Sequence, residues 1–352
     1  MSNYLSDAVS KLKGYKVNEI SYKIKMDDNS SPYDLSNNLK NKLKEKLFDI
    51  NYNRYPSSIH KNLLEKLSKL NNIEINNISL GNGSDEIIAY LLQMFFNKDD
   101  KILNLSPSFA MFTIVPQIMG IEIIDVPLIE TENDWIIDKK SLDKILDKAK
   151  LIFIAMPNNP TGGNFNKEII LDIIKQNKCI VVIDEAYYDY NSFSYKEYIN
   201  EFDNLIVMRT FSKSLGLAGC RLGYLISNKN IIEKYNSVRL PYNINTLSAT
   251  VAEIVLDNFN EAKENFTKLF KNVKILFDEL KKFQSLKLYK SNANFILLKT
   301  NEAEKIYNYC LEKKGIILKL FTTGILKNCL RITTGTLEEN KILINTLKEI
   351  IN

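Results

Sequence analysis

The chain has 352 residues, 45% hydrophobic and 25% charged, which fits a globular protein with a large core and a satellite domain and excludes disordered and fibrous classes. Lysine and arginine outnumber the acidic residues 47 to 42, scattered among Asn, Ile and Glu rather than gathered in a basic run, so nucleic acid is not an expected partner. No apolar stretch approaches the ~20 residues that span a bilayer, and MSNYLSDAVSKLKGYK at the start lacks the apolar core of a signal peptide, so a cytoplasmic location without membrane contact is expected.

Along the chain, ISLGNGSDEIIAYLLQMFF is the first informative stretch: a Gly-x-Gly turn opens a helix whose first N–H groups, around Gly83, Ser84 and Asp85, can hold a phosphate. A dinucleotide site is disfavoured, because Glu86 stands where the third glycine of G-x-G-x-x-G belongs. Apolar runs rich in Ile and Val then recur as expected strands at 101–107, 121–127, 151–157, 179–188 and 204–212. The helix-period stretches KSLDKILDKA and KEIILDIIKQ lie between some of them, an alternation that predicts a mainly parallel sheet covered by helices. Beyond, a long helical pattern from Thr246 to Phe283 leads into ANFILLKT, AEKIYNYCLEKKG, IILKL, LRITTGT and a last helix, the pattern of a smaller α+β domain.

Seven of the twelve glycines fall in three segments after strand-like runs: GNGSDE, NNPTGG and SKSLGLAGCRLG. In a parallel sheet ligands bind beyond the carboxyl ends of the strands, where loops need permissive backbone angles, so these segments predict one cleft. In LIFIAMPNNPTGG, turn chemistry accounts for most of the motif, but Asn159 can also donate its amide to a phenolate oxygen. In CIVVIDEAYYDY, Asp184 and Glu185 end a run too apolar to be anything but a buried strand. A buried carboxylate needs a partner, and a protonated pyridine nitrogen suits it, with Tyr187 placed to hydrogen-bond a ring oxygen. The two acids point to opposite faces of a strand and would not chelate one metal ion. In TFSKSLGLAGCRLG, Thr210, Ser212 and Arg221 can converge on a phosphate beside Lys213, the alternative being a solvated lysine and a surface arginine. No Walker string is present.

Cys179, Cys220, Cys310 and Cys329 are widely separated, and His60 in PSSIHKN is the only histidine, so no metal site is expected. Buried reduced thiols and a surface or helix-start histidine are the expectations.

Together these segments, in this order, resemble the fold-type I pyridoxal-phosphate aminotransferases of classes I and II over nearly the whole chain. VSKLKGYK, NRYPSS, GNGSDEII, SPSFAMF, NNPTG, DEAYYDY, RTFSKSLGLAGCRLGY and CLRITTGTLEEN look most like blocks of the histidinol-phosphate aminotransferases. The resemblance implies an α/β fold with a large cofactor domain, its mainly parallel seven-stranded sheet sandwiched by helices, and a smaller α+β C-terminal domain. The corresponding division is an N-terminal arm over 1–30, a large domain over 31–245 and a small domain over 246–352.

The resemblance also implies pyridoxal 5′-phosphate as cofactor, Lys213 as the lysine that binds it covalently and moves the substrate proton, and Asp184 as the partner of its pyridine nitrogen. Tyr187 and Asn159 would hold its ring hydroxyl; Gly83, Ser84, Asp85, Thr210, Ser212 and Arg221 its phosphate; Phe109 would stack on its ring. Tyr55 would reach the phosphate in a partner subunit, making a homodimer. Arg331, with Lys319, Asn159 and Tyr15, would bind the substrate. The implied reaction passes the amino group of L-histidinol phosphate to 2-oxoglutarate, giving imidazole acetol phosphate and L-glutamate, a step of histidine biosynthesis. The alternatives on this scaffold are a phosphothreonine-type decarboxylase or an aminotransferase of another, aromatic amino acid. A transcription regulator is not expected, since only about thirty residues precede NSSP, too few for a helix-turn-helix domain. Two departures stand out: Asn29, Ser30, Ser31 and Pro32 where the family usually reads N-E-N-P, and Lys319 where an arginine is common. A lysine keeps the charge but loses the planar fork.

Overall fold

The structure, a computed structural model, describes residues 4–10, 12, 20–191 and 193–351. Its main sheet has seven strands in the order Ile78–Gly81, Gly223–Ser227, Leu205–Thr210, Ile180–Asp184, Leu151–Ala155, Lys101–Ser106 and Glu122–Pro127. Gly223–Ser227, absent from the runs expected as strands, is antiparallel to both neighbours, and from Leu205–Thr210 onward every pairing is parallel.

The central strands are apolar over most of their length because helices cover both faces, with Asp184, Arg209 and Thr210 as the exceptions at the carboxyl ends. Their period of two sends Phe153, Val182, Ile206 and Met208 toward Ile87, Ile88 and Leu91 of the helix Gly83–Phe95. It sends Ile152, Ile154, Val181, Ile183 and Val207 to the opposite face, into a core shared with the helices Lys61–Asn71, Lys167–Lys175 and Thr246–Asp257. Short polar caps start several helices: Asn166 accepts from the N–H groups of Glu168 and Ile169, and Thr336 with Glu339 closes a reciprocal box at Leu337–Ile350.

A second sheet has five strands in the order Ile24–Met26, Ile316–Phe321, Cys329–Thr333, Phe295–Lys299 and Lys287–Leu288. Ile24–Met26, in the stretch expected as an arm, is thus a strand of the C-terminal sheet, parallel to Ile316–Leu318. The helical pattern expected over 246–283 is two helices, Thr246–Asp257 and Phe259–Leu280, broken at Asn258, whose side chain donates to the Ile254 carbonyl at 2.8 Å. Ala262 packs into the large core and Leu276 and Leu280 into the small one, so the chain passes between the two cores along Phe259–Leu280 rather than at 245/246. KSLDKILDKA yields only the short helix Lys139–Asp143 and a turn at Leu146–Lys148. Glu130, in a two-stranded pair of Ile129–Glu130 with Trp135–Ile136 just after the edge strand of the main sheet, meets the second sheet by accepting from Lys287 and Tyr289, each at 2.6 Å, and from Lys299 at 2.8 Å.

Cys179, Cys310 and Cys329 are buried and Cys220 partly so, all as free thiols. His60 begins the helix Lys61–Asn71 but is buried rather than at the surface, its Nε2 at 3.1 Å from the Ile244 carbonyl oxygen. Among the described residues no helix is long and apolar enough to cross a membrane.

Candidate active site

The carboxyl ends of the parallel strands face the C-terminal sheet across a cleft of about 930 Å³. Ser84, Asp85, Phe109, Asn159, Asp184, Tyr187, Thr210, Ser212, Lys213 and Arg221 line it from the large side, Lys319 and Arg331 from the small one.

Lys213 lies deep in this cleft, its Nζ donating to the Asp28 carbonyl at 3.1 Å. Burial, then the Arg331 charge, pull its ammonium down to about 8, against the opposing pull of Asp28 and Asp184. Asp184 ends its strand pointing into the same cleft, where Oδ1 accepts the Ala186 N–H at 3.0 Å. Burial pushes its carboxyl up to about 7, and Asp85 adds to the rise. Glu185 points the other way, as the strand period requires: it accepts from Arg209 at 2.8 and 3.0 Å, from Ser194 and from the Tyr195 N–H. Arg209 also donates to Asn71 Oδ1 at 2.6 Å and lies over the Tyr188 ring at 3.5 Å.

Tyr187 is buried, which pushes its phenol up to about 12, and its oxygen accepts from Asn29 Nδ2 at 2.8 Å. Asn159 Oδ1 accepts from Arg331 Nη1 at 2.6 Å, while Arg331 Nη2 donates to the Asp27 carbonyl. Lys319 is the antiparallel neighbour of Arg331, and burial, then that neighbouring charge, lower its pKa. Two cations therefore face the cleft from adjacent strands.

At the opposite end, Arg221 Nη2 pairs with Asp85 Oδ2 at 3.0 Å, both side chains about half exposed. Gly83 has φ +78°, and a Cβ there would sit 2.8 Å from Arg221 Nη2, so glycine opens this corner. Thr210 Oγ1 accepts the Ser212 N–H at 3.1 Å and donates to Ser212 Oγ at 3.0 Å. Because the Asp85 carboxylate would repel an anion, only its N–H at the start of the helix suits a phosphate. Phe109 lines the cleft and also packs edge-on against Phe112 at 5.5 Å, so the packing and stacking roles are compatible.

Tyr55 is not brought to the cleft: it is 83% exposed and stacks on Tyr242 at 4.9 Å. Tyr15 lies outside the described residues. Sequence reasoning assigned no role to Asn29, Asp28 or Arg209. Arg209 carried a usable signal, as the one charge in the run NLIVMRTFS, a position where an arginine seldom lacks a partner.

The residues fit pyridoxal phosphate. Asp184 is a buried carboxyl whose raised pKa marks a shortage of positive charge, which a protonated pyridine nitrogen would supply. Arg221, the first N–H groups of Gly83–Phe95 and the Thr210 and Ser212 hydroxyls offer donors for a phosphate, and Lys213 lies between the two ends with an amine of reduced basicity. Among the described residues no group of three or more His, Cys, Asp or Glu is arranged to hold a metal ion.

The family profile described as aminotransferase class I and II matches residues 21–347. The histidinol-phosphate aminotransferase of Thermoanaerobacter pseudethanolicus is 39% identical over 354 aligned residues, covering 100% of this chain and 99% of that protein. The solved histidinol-phosphate aminotransferase of Clostridium acetobutylicum superposes with a TM-score of 0.84 at 26% identity, over 93% of this chain and 99% of that one. The Sinorhizobium meliloti histidinol-phosphate aminotransferase, solved with pyridoxal-5′-phosphate, shares the fold at a TM-score of 0.86 and 20% identity, over 98% and 97% of the two chains.

Proposed function

From the premise that this chain belongs to the class I and II aminotransferase family, we propose that it transfers the amino group of L-histidinol phosphate to 2-oxoglutarate, with pyridoxal phosphate bound through Lys213. The observation that carries the reading is the placing of Lys213, Asp184, Tyr187 and Asn159 on one wall of a cleft whose other wall presents Arg331 and Lys319. The likeness to histidinol-phosphate aminotransferases over the full chain supports the choice of substrate.

The bound cofactor supplies an aldehyde that accepts the amino group and a ring that withdraws electrons from the substrate's Cα. Asp184, buried and anionic, would hold the pyridine nitrogen protonated. Tyr187 and the Asn159 amide would hold the ring oxygen. Arg221, Ser84, Thr210 and Ser212, with the N–H groups of Gly83 and Asp85, would anchor the phosphate, and Phe109 would cover the ring. Lys213 Nζ, lowered in basicity by burial and by Arg331, would take the proton from the donor's Cα and pass it to the carbon that carried the aldehyde, the proton shift that transamination requires. Arg331 and Lys319 suit an anionic group at the far end of the substrate, and Tyr15 is assigned there by sequence alone.

A homodimer belongs to this reading. Tyr52, Tyr55, Ile59, Leu240 and Tyr242 are exposed, and the Tyr55–Tyr242 stack and an Arg239–Ser58 hydrogen bond of 3.0 Å join their two segments into one apolar face. That face supports contact with a second copy, with Tyr55 reaching the neighbouring cleft. A biosynthetic role in the cytoplasm accompanies the proposal.

The test is kcat/KM for histidinol phosphate against histidinol, histidine, alanine and aspartate. A charge-assisted contact of about 1.5 to 3 kcal/mol predicts a preference of roughly ten- to a hundredfold for the phosphorylated donor. A ratio near one, or a clear preference for an ordinary amino acid, refutes the substrate. Carbon dioxide released from a phosphothreonine-like compound would replace the reading by a decarboxylase.

A further inference from the structure

Asn29 is 1% exposed and sits at φ 61°, in the left-handed region that asparagine tolerates better than most residues. Its N–H donates to Thr333 Oγ1 at 2.9 Å, its Oδ1 accepts from that hydroxyl at 3.0 Å, and its carbonyl accepts from Asn294 Nδ2 at 3.0 Å. The remaining edge of the amide, Nδ2, donates to Tyr187 Oη at 2.8 Å. With its oxygen accepting there, Tyr187 has its single hydroxyl hydrogen left for another acceptor.

We propose that Asn29 is a positioning residue that turns the Tyr187 hydroxyl hydrogen into the cleft, where it donates to the ring oxygen of the bound cofactor. Thr333 and Asn294, both on the C-terminal sheet side, set the direction of the Asn29 amide, and Asn29 sets that of Tyr187. The Tyr187 phenol, pushed up to about 12 by burial, keeps its hydrogen over the whole working range. The proposal rests on the pyridoxal phosphate reading.

The test uses the purified, cofactor-loaded protein and follows the pH titration of the bound cofactor's visible absorbance. Donation to the ring oxygen favours its deprotonated form, so losing the donor raises the apparent pKa. Asn29→Asp preserves the shape and the tolerance for positive φ, but an ionised carboxylate only accepts, so it would draw the Tyr187 hydrogen away from the cleft. The expected result is a rise of about one pH unit, tenfold in the protonation equilibrium. Thr333→Val, which removes the hydroxyl that orients Asn29, is expected to shift the titration in the same direction by less. On a Tyr187→Phe background most of the Asn29→Asp shift should vanish. Equal shifts with and without the Tyr187 hydroxyl would reduce the effect to a nearby charge and overturn the proposal, as would no shift in either variant. A wild-type protein that binds no chromophore would instead defeat the cofactor reading, and the proposal with it.

Discussion

Replacing Asp184 by Asn separates two things the carboxylate does. In the protein without cofactor, burial raises this carboxyl from its ordinary 3.8 to about 7, against the hydrogen bond it accepts from the Ala186 N–H. The unfolded chain ionises near 3.8 while the folded one holds its proton until about 7. Stability on this account is therefore fully present below the unfolded value, falls as pH rises, and levels off above about 7. A displacement of about three pH units at about 1.4 kcal/mol each sets a ceiling of about 4 kcal/mol. An amide does not titrate, so the Asp184→Asn variant without cofactor should gain on wild type as pH climbs from about 4 to about 7, by about 2 to 4 kcal/mol. With cofactor the order should reverse, because wild type then has a pyridinium partner for its anion and the variant has none. Urea unfolding at pH values of about 4.5, 6 and 8, with and without cofactor, measures both arms, and turnover should drop at least about a hundredfold in the variant. Parallel stability curves for the two cofactor-free proteins would show that Asp184 is not a carboxyl short of positive charge.

Because the Lys213 amine is pulled down to about 8, the rate at which cofactor-free protein captures pyridoxal phosphate should rise about tenfold per pH unit up to that value and flatten above it; a rate still climbing at about pH 10 would indicate an ordinary lysine. Glu185→Ala leaves Arg209 buried without its carboxylate and should lower the unfolding free energy by about 3 to 5 kcal/mol; a loss under about 1 kcal/mol would mean that Arg209 finds another partner. In a mixed dimer carrying Tyr55→Phe on one chain and Lys213→Ala on the other, one site should inherit both defects and the other neither, so full activity per intact site is expected; two equally impaired sites would count against Tyr55 acting on its neighbour.

The sequence made legible what depends on local pattern. The alternation in CIVVIDEAYY assigned Asp184 and Glu185 to opposite faces, and the structure places one in the cleft and the other against Arg209. The three glycine-bearing loops marked the carboxyl ends of the strands, where ten of the expected site residues line one cleft with Lys319 and Arg331 opposite. Helix breaks were less legible. The pattern from Thr246 to Phe283 kept its period across Asn258, where the backbone leaves helical angles and the side chain bonds to the Ile254 carbonyl. Gly223–Ser227 escaped notice because it follows the loop motif directly and its apolar run, Tyr224, Leu225 and Ile226, is bounded by Gly and Ser.

Contacts between residues far apart in sequence were not legible, because the partners meet only through sheet register. Lys319 and Arg331, grouped beforehand only by the resemblance, are neighbours through the pairing of their antiparallel strands. The NSSP departure is the clearest case. Read as a string, it shows only that Ser30 stands where an acidic residue is usual. In the structure the asparagine common to both strings is the residue that touches Tyr187, and Ser30 folds back so that its hydroxyl donates to Asp28 Oδ1 at 2.6 Å. That bond, with the Ser30 N–H and the Lys25 and Lys213 charges, holds the Asp28 carboxyl below its ordinary value against burial, so Asp28 is already an anion at the cleft. A glutamate at position 30 would add a third carboxylate beside Asp27 and Asp28, in the cleft where, in the proposed reaction, Arg331 and Lys319 would attract an anionic substrate. The departure therefore leaves the cleft without that negative charge while preserving the contact to Tyr187, and in the proposed reaction it would partly offset the weaker grip of a lysine at position 319.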